Sequence, residues 1–314
     1  MSPEPPLFGF LGEALALVSA ILFALSNICI LRGSVRASGD NGALLSVLVT
    51  VLVSGALWLV LGADIPGGSS GAGLLSALAW FAMAGLLATV FGRIFLWKSI
   101  QRLGVTRASA IKRLNPFFSV VLAALVLGEV ITPLMGAGMA LIAVSFGTLV
   151  RGTVRSLWSR AAAPAAGEEV RAADYLYGPT SALCYATSYI GRRFGLERIP
   201  DAIFGTLVAA VAALGYYVVA SWFVRDYRRA FREALTGANR WQLAAAVAVS
   251  FGQISNFGAI QFTAVSKVVM ITSMEIFISM FLAVIVFRTE KRPEPTTLLA
   301  ALLAMAGVTL VALG

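Results

Sequence analysis

One carboxylate, that of Glu275, lies in the otherwise apolar stretch "VVMITSMEIFISMFLAVIVF", residues 268–287. An ionised carboxylate in the middle of a bilayer costs roughly 2.5–3.5 kcal/mol or more, so its side chain should face a polar cavity or a charged partner. Such a group could bind an amine or carry a proton. The alternative is an internal ion pair with Lys112, Arg113 or Arg93 that only ties helices together.

Polar side chains in other apolar stretches extend this pattern. Thr272, Glu275 and Ser279 are spaced i, i+3 and i+7, which predicts one face of a helix. The positions 160 residues earlier hold a second polar stripe, Lys112, Asn115 and Ser119. Five further polar residues lie in apolar stretches: Arg93, Gln253, Asn256, Ser26 and Asn27.

We predict that these residues line a central substrate site. Glu275 would bind an amine or a proton, and Lys112 or Arg93 would bind a carboxylate or phosphate, so a zwitterion would satisfy both charges. Arg93 has a second interpretation, because its long side chain could instead extend to the membrane interface.

The residue types exclude several kinds of chemistry. The chain has no histidine, which rules out Ser/His/Asp triads, Cys/His dyads and His-ligated zinc. Cys29 and Cys184 form no CxxC pair, which favours small buried side chains over a metal site or a disulfide. No phosphate-binding P-loop is present either. We therefore predict no catalytic residue, metal or cofactor, with an intramembrane enzyme as the alternative.

The composition is that of a membrane protein. Of 314 residues, 59% are hydrophobic and 12% are charged, about half the charged share of soluble domains. The net charge of +9 comes from arginines in short stretches between apolar runs, which is typical of membrane edges and not of nucleic-acid binding. Ala, Gly and Leu are abundant and Arg outnumbers Lys, which suggests a GC-rich bacterial genome. We therefore expect a bacterial inner membrane location.

Ten apolar stretches have lengths close to the roughly 20 residues that a membrane-spanning helix needs. This predicts an all-α integral membrane fold with ten transmembrane helices. They are residues 10–31, 43–61, 74–97, 106–127, 131–150, 174–191, 203–224, 241–263, 267–287 and 296–313. The first lacks a preceding basic region, so we expect a retained span and not a cleaved signal peptide. We predict two five-helix repeats, residues 1–150 and 174–314, joined by a linker at 151–173.

An internal repeat relates the two halves. Residues 91–126 align with residues 251–286 without a gap, and twelve of the 36 positions are identical. Because each half has five predicted spans, an odd number, the second half must enter the membrane from the opposite side. Inverted repeats of this kind are typical of secondary transporters, whose substrate site lies near the midplane between the halves.

Four segments resemble the EamA-like branch of the drug/metabolite transporter superfamily. One helix of the family repeat is similar to "AIKRLNPFFSVVLAALVLGEVIT" in the first half and to "SMEIFISMFLA" in the second half. The first helix of the family repeat is similar to "FALSNICILR" in the first half and to "CYATSYIGRR" in the second half. The second copy departs from the pattern, with Ile276 opposite Pro116 and "FRTEKRP" in place of "LGEVITP". The resemblance implies a ten-span carrier, often an exporter, of amino acids, other metabolites or drugs.

Loop charges predict the orientation. Seventeen Lys and Arg residues follow odd-numbered spans and four lie on the other face, which places both termini in the periplasm. The resemblance implies cytoplasmic termini instead. Basic residues follow the first predicted span of both halves: Arg32, Arg36, Arg192, Arg193 and Arg198. They are either interfacial anchors or contacts to anionic lipid headgroups or substrate.

Together these features predict a secondary transporter that exports a small polar or amphipathic metabolite by alternating access, with proton coupling through Glu275. A lipid or lipid-linked substrate flippase is the alternative. Glu129 lies at a span end, where helix capping or loop bonding explains it and substrate contact is the other interpretation. Pairs of small residues at i and i+4, Gly136 with Ala140 and Ala300 with Ala304, indicate close packing within a monomer or a homodimer seam.

Overall fold

The computed structural model describes residues 10–33, 43–61, 71–103, 114–159, 172–286 and 295–314. Most of these residues are helical, and there is no strand among them. We number the helices in chain order. They are α1 (Leu11–Gly33), α2 (Ala43–Leu61), α3 (Gly71–Leu103), α4 (Asn115–Leu127), α5 (Pro133–Ser159), α6 (Tyr177–Arg198), α7 (Ala202–Phe223), α8 (Arg225–Thr236), α9 (Arg240–Phe262), α10 (Val265–Val286) and α11 (Pro295–Leu313).

Six of the described helices are long and apolar enough to cross a membrane: α1, α2, α3, α7, α9 and α10. Shorter apolar helices cover Asn115–Leu127, Pro133–Thr148 and Leu298–Leu313. Each predicted span overlaps a described helix, which confirms the all-helical membrane fold. The number of membrane crossings stays a prediction.

The helices form two compact units that do not follow the two halves of the sequence. The first unit comprises residues Met1–Leu86, Gly191–Ala264 and Glu275–Glu290. The second comprises Leu87–Ile190, Val265–Met274 and Lys291–Gly314. Helices α3, α6 and α10 therefore each contribute one part to either unit.

In the first unit, small residues let α1 pack closely on α9. The Ser19 hydroxyl donates to the Gly252 carbonyl oxygen at 2.9 Å, and Thr50 of α2 shares a 2.9 Å hydrogen bond with Ser250 of α9. Phe81 is fully buried beside Phe257, with ring centroids 6.0 Å apart. Small groups and aromatic rings thus fix the helices that carry the polar residues described below.

In the second unit, α5 packs on α11 through glycine, not through the predicted Gly136/Ala140 pair. A Cβ atom on Gly307 would lie 2.6 Å from the Gly138 carbonyl oxygen, so the two backbones meet at this point. The Ser145 hydroxyl donates to the Ala300 carbonyl oxygen at 2.6 Å. Ala300 and Ala304 are fully buried, as expected of an intramolecular seam, whereas Ala140 is exposed.

This backbone contact makes a sharp prediction. Gly138→Ala should lower the thermal unfolding midpoint in detergent, because the new Cβ atom meets the α11 backbone and overpacking costs about 1–3 kcal/mol. Gly136→Ala, two residues away, is the matched control, since its Cβ atom would have nothing within 4 Å and alanine favours helix. Equal midpoints for the two variants would contradict the contact.

Three local features differ from the sequence-based expectation. α8 occupies residues that were predicted as a basic loop. α10 is interrupted by turn residues Ser273 and Met274, so Thr272 lies before the interruption and Glu275 and Ser279 lie after it. α5 continues to Ser159, nine residues into the predicted linker. The interruption in α10 decides where Glu275 lies.

Candidate functional site

Glu275 is the first residue of the helical segment Glu275–Phe281, directly after the interruption in α10. Its repeat equivalent, Asn115, is likewise the first residue of α4, and Pro116 occupies the first turn, where proline is tolerated. Pro116 therefore marks a helix start. A carboxylate in the first turn of a helical segment is electrostatically favourable, and Glu275 is half-buried there.

The part of α10 that follows Glu275 packs on α1. The Asn27 amide donates to the Ser279 hydroxyl at 3.4 Å, and the Ser279 hydroxyl donates to the Ala24 carbonyl oxygen at 3.5 Å. Both contacts lie at the long limit of a hydrogen bond. The structure thus brings together two of the predicted site residues, Asn27 and Ser279, in the first unit.

A buried arginine lies in the same unit, on the part of α6 that packs there. Arg192 is 6% exposed and donates from Nη1 to Oδ1 of the fully buried Asn256 at 2.7 Å. Its guanidinium carbon lies 4.7 Å from the centroid of the Phe257 ring, a cation–π distance. Because interfacial anchors keep their charged ends in water, the anchor interpretation of Arg192 is wrong.

The neighbouring basic residues of α6 behave differently. Arg193 donates to the Ile260 carbonyl oxygen at 3.0 Å and pairs with Glu197 at 3.1 Å, with a third of its side chain exposed. Arg198 donates to the Phe194 carbonyl oxygen at 2.8 Å, in the last turn of its own helix. These two residues satisfy helix carbonyls near the surface, as cations at helix ends commonly do.

Gln253 is half-buried on α9, one turn before Asn256. Ser26 of α1 is 2% exposed, and its hydroxyl makes no hydrogen bond with any described residue. A buried polar atom without a partner costs about 1–3 kcal/mol. Ser26 is therefore a group of the first unit that a polar ligand could satisfy.

The second unit holds the remaining described candidates. Arg93 is half-buried on α3, and its Nη1 atom is buried without a hydrogen-bond partner among the described residues. It is ten residues from Leu103, the last residue of α3. Buried placement of this nitrogen argues against a purely interfacial side chain.

Two further candidates of this unit are satisfied within their own helices. The buried Ser119 hydroxyl donates to the Asn115 carbonyl oxygen at 2.9 Å, and the Thr272 hydroxyl donates to the Val268 carbonyl oxygen at 2.7 Å. Thr272 lies before the interruption in α10 and Glu275 after it. Lys112, like Arg113 and Arg36, lies outside the described residues.

Glu129 caps the start of α10. Its carboxylate accepts hydrogen bonds from the backbone N–H groups of Val265 at 2.7 Å and Ser266 at 3.0 Å, and from the Ser266 hydroxyl. These N–H groups lack partners within their own helix, and the helix dipole favours a negative charge here. The capping interpretation of Glu129 is confirmed. The helix that it caps, α10, belongs to the second half of the sequence.

The comparisons with known proteins define the class. A model of the EamA-like transporter family matches residues 10–151 and again residues 174–313. The chain also matches 28 solved protein chains. One, described as "Crystal structure of protein", is 17% identical with a TM-score of 0.65, and the match covers 99% of this chain and 98% of that chain. This likeness shows a shared fold alone. No curated protein matches the chain.

The apolar helices and the family match define a multi-pass membrane transporter. The chain belongs to the EamA-like transporter family, with one family match in each half of the sequence. Membership of a family of transporters favours a non-enzymatic role. The resemblance stated from the sequence motifs is thereby confirmed.

Proposed function

We propose that the protein is a secondary transporter that exports a small polar or amphipathic metabolite from a bacterial cell by alternating access. The proposal takes the two family matches as two inverted five-helix repeats, ten spans in all, in the inner membrane. Following the loop charges, both termini would be periplasmic.

The observation that carries the proposal is Glu275, a carboxylate at an interruption of an apolar helix in a chain of this transporter family. Ionisable residues within membrane segments mark substrate and proton pathways, and interrupted helices are where transporters bind their substrates. Ser26 and Arg93 support the proposal, because each has a buried polar atom that a solute could satisfy.

Untargeted metabolite analysis tests the proposal. Cells with the wild type, with Glu275→Gln or with empty vector would be compared at matched protein levels, for both medium and cytosol. We expect one compound to accumulate outside with the wild type and with the control variant, but not with Glu275→Gln or the empty vector. Glu197→Gln is the control, because it neutralises an exposed carboxylate in an i,i+4 ion pair.

Each outcome separates a part of the proposal. If both variants export like the wild type, Glu275 is a structural tie. If neither medium nor cytosol differs from empty cells, export of a soluble metabolite is wrong, and flux of a labelled lipid in liposomes tests the flippase alternative. Export by Glu275→Gln with an unchanged pH dependence would overturn proton coupling through this carboxylate.

A further inference from the structure

α8 lies at the level where membrane spans end. Val224 alone separates it from α7, and residues 237–239 separate it from α9, both of which are candidate spans. Its 12 residues give a length of about 18 Å, too short for a hydrocarbon core of about 30 Å. It is therefore too short to cross a membrane by itself, and it contacts α7 and α2 of the first unit.

The inner face of α8 is fixed to this unit. Tyr227, Ala230, Phe231 and Ala234 recur at helical spacing, and Ala230 is 8% exposed against the body of the unit. The Tyr227 ring meets the Tyr217 ring of α7 at 5.6 Å in a T-shaped contact. Such contacts hold the helix in one orientation, so its outer face is defined.

Arginines crowd the outer face and the neighbouring helix ends. We call this surface the arginine rim: Arg32, Arg225, Arg228, Arg229, Arg232 and Arg240. Asp226 and Glu233 are the acidic residues of α8, so the rim is strongly positive. The end of α1 joins it directly, because the Asn239 amide donates to the Gly33 carbonyl oxygen at 3.2 Å and Arg32 lies 4.9 Å from the Trp241 ring centroid.

Some of these charges already have protein partners. Arg228 donates to the Ser221 and Trp222 carbonyl oxygens at 3.3 and 3.2 Å, in the last turn of α7. Arg229 pairs with Glu233 at 2.8 Å. Arg225 and Arg232 are exposed and lie two helical turns apart, about 10 Å along the axis. They are the rim charges best placed to meet an external anion.

Large apolar side chains border the rim on both ends of α8. Phe223 is 81% exposed, Trp222 is 69% exposed and Leu235 is 75% exposed. In a water-soluble surface these side chains would be unfavourable, whereas in the interfacial region of a bilayer they insert beside the headgroups. The combination of apolar side chains with arginines matches a phospholipid surface in both polarity and charge.

We propose that the arginine rim binds the phosphate headgroups of anionic phospholipids, with Arg225 and Arg232 as the main contacts and α8 lying in the interface. The charge complementarity selects anionic over zwitterionic lipid. Guanidinium groups donate paired hydrogen bonds to phosphate oxygens, which a compact ammonium cannot do as well. This surface is independent of the transported solute.

Thermal unfolding of the purified full chain in detergent tests the proposal. Phosphatidylglycerol should raise the midpoint more than phosphatidylcholine does. In Arg225→Gln/Arg232→Gln, the amount of phosphatidylglycerol needed for half of this rise should increase roughly 25-fold, about fivefold for each arginine. Arg225→Lys/Arg232→Lys keeps both charges and should retain most of the effect.

Several results would overturn the proposal. The rim would not be a lipid site if the Gln variant kept the wild-type dependence on phosphatidylglycerol, or if phosphatidylcholine acted equally well. Equal stabilisation by inorganic phosphate would identify a free-phosphate site instead. If the Gln variant fails to fold, the salt dependence of the wild type tests the proposal instead. The stabilisation by phosphatidylglycerol must weaken strongly at about 1 M salt, where the Debye length is about 3 Å, and an unchanged stabilisation would overturn the proposal.

Discussion

Replacing Arg192 by leucine is expected to destabilise the protein by about 2–4 kcal/mol, seen as a lower unfolding midpoint in detergent. The change removes the 2.7 Å hydrogen bond to Asn256 and the cation–π contact with Phe257. It also leaves the Asn256 side-chain oxygen without this donor in a site where Asn256 is fully buried. Thermal unfolding of purified variants measures the loss.

The neighbouring arginine gives a matched control for this variant. Arg193→Leu removes the same charge one residue away, but from a side chain that is a third exposed. Loss of its ion pair with Glu197 and its hydrogen bond to the Ile260 carbonyl oxygen is expected to cost about 1 kcal/mol. Arg192→Leu/Asn256→Leu should recover part of the stability, because it leaves neither buried partner without the other. Equal losses for Arg192→Leu and Arg193→Leu would contradict the burial of Arg192.

The same variants separate structure from transport. If Arg192→Leu/Asn256→Leu regains stability and exports normally, the pair only holds α6 against α9. If stability returns but export does not, Arg192 also serves the solute. A buried cation beside predicted site residues makes this comparison informative, since Asn256 was expected to bind substrate directly.

The lengths of the apolar stretches and the internal repeat predicted most of the helices of the fold. The apolar stretches predicted helices at positions where the structure has them, because a backbone in a bilayer must satisfy its hydrogen bonds internally. The repeat also held a signal for the interruption in α10. Asn115 precedes Pro116 at a helix start, and the aligned Glu275 starts a helical segment as well, although no Gly or Pro marks the break there.

Features that depend on tertiary contacts were not predicted from the sequence. α8 was missed because its apolar face has four residues among arginines, which resembles a basic loop when only hydropathy and charge are counted. Arg192 and Arg193 are adjacent and chemically identical, yet Arg192 is buried against Asn256 and Phe257 of α9 while Arg193 is partly exposed. The interleaved units likewise cannot be read from the order of the repeats.

Glu129→Ala is expected to be the second strongly destabilising change, with a loss of about 2–4 kcal/mol. Its carboxylate caps the first two N–H groups of α10 and also accepts from the Ser266 hydroxyl. Removing an N-cap costs about 0.5–2 kcal/mol, and hydrogen bonds to a charged group are worth about 1.5–3 kcal/mol each. Unfolding in detergent measures the loss, with Glu233→Gln as an exposed, ion-paired control.

The graded variant Glu129→Gln shows which part of the carboxylate matters. A glutamine keeps one acceptor oxygen and loses the charge, so an intermediate loss indicates that both the hydrogen bonds and the helix-dipole interaction contribute. A loss as small as that of Glu233→Gln would mean that Glu129 does not hold α10. The first segment of α10, Val265–Thr272, has only eight residues and ends just before Glu275. Because so short a helix is marginally stable by itself, its start needs this external cap. The glutamate that follows α4 therefore positions the helical segment that leads to the half-buried Glu275. Weaker export by Glu129→Gln at matched protein levels would be the functional sign of that link.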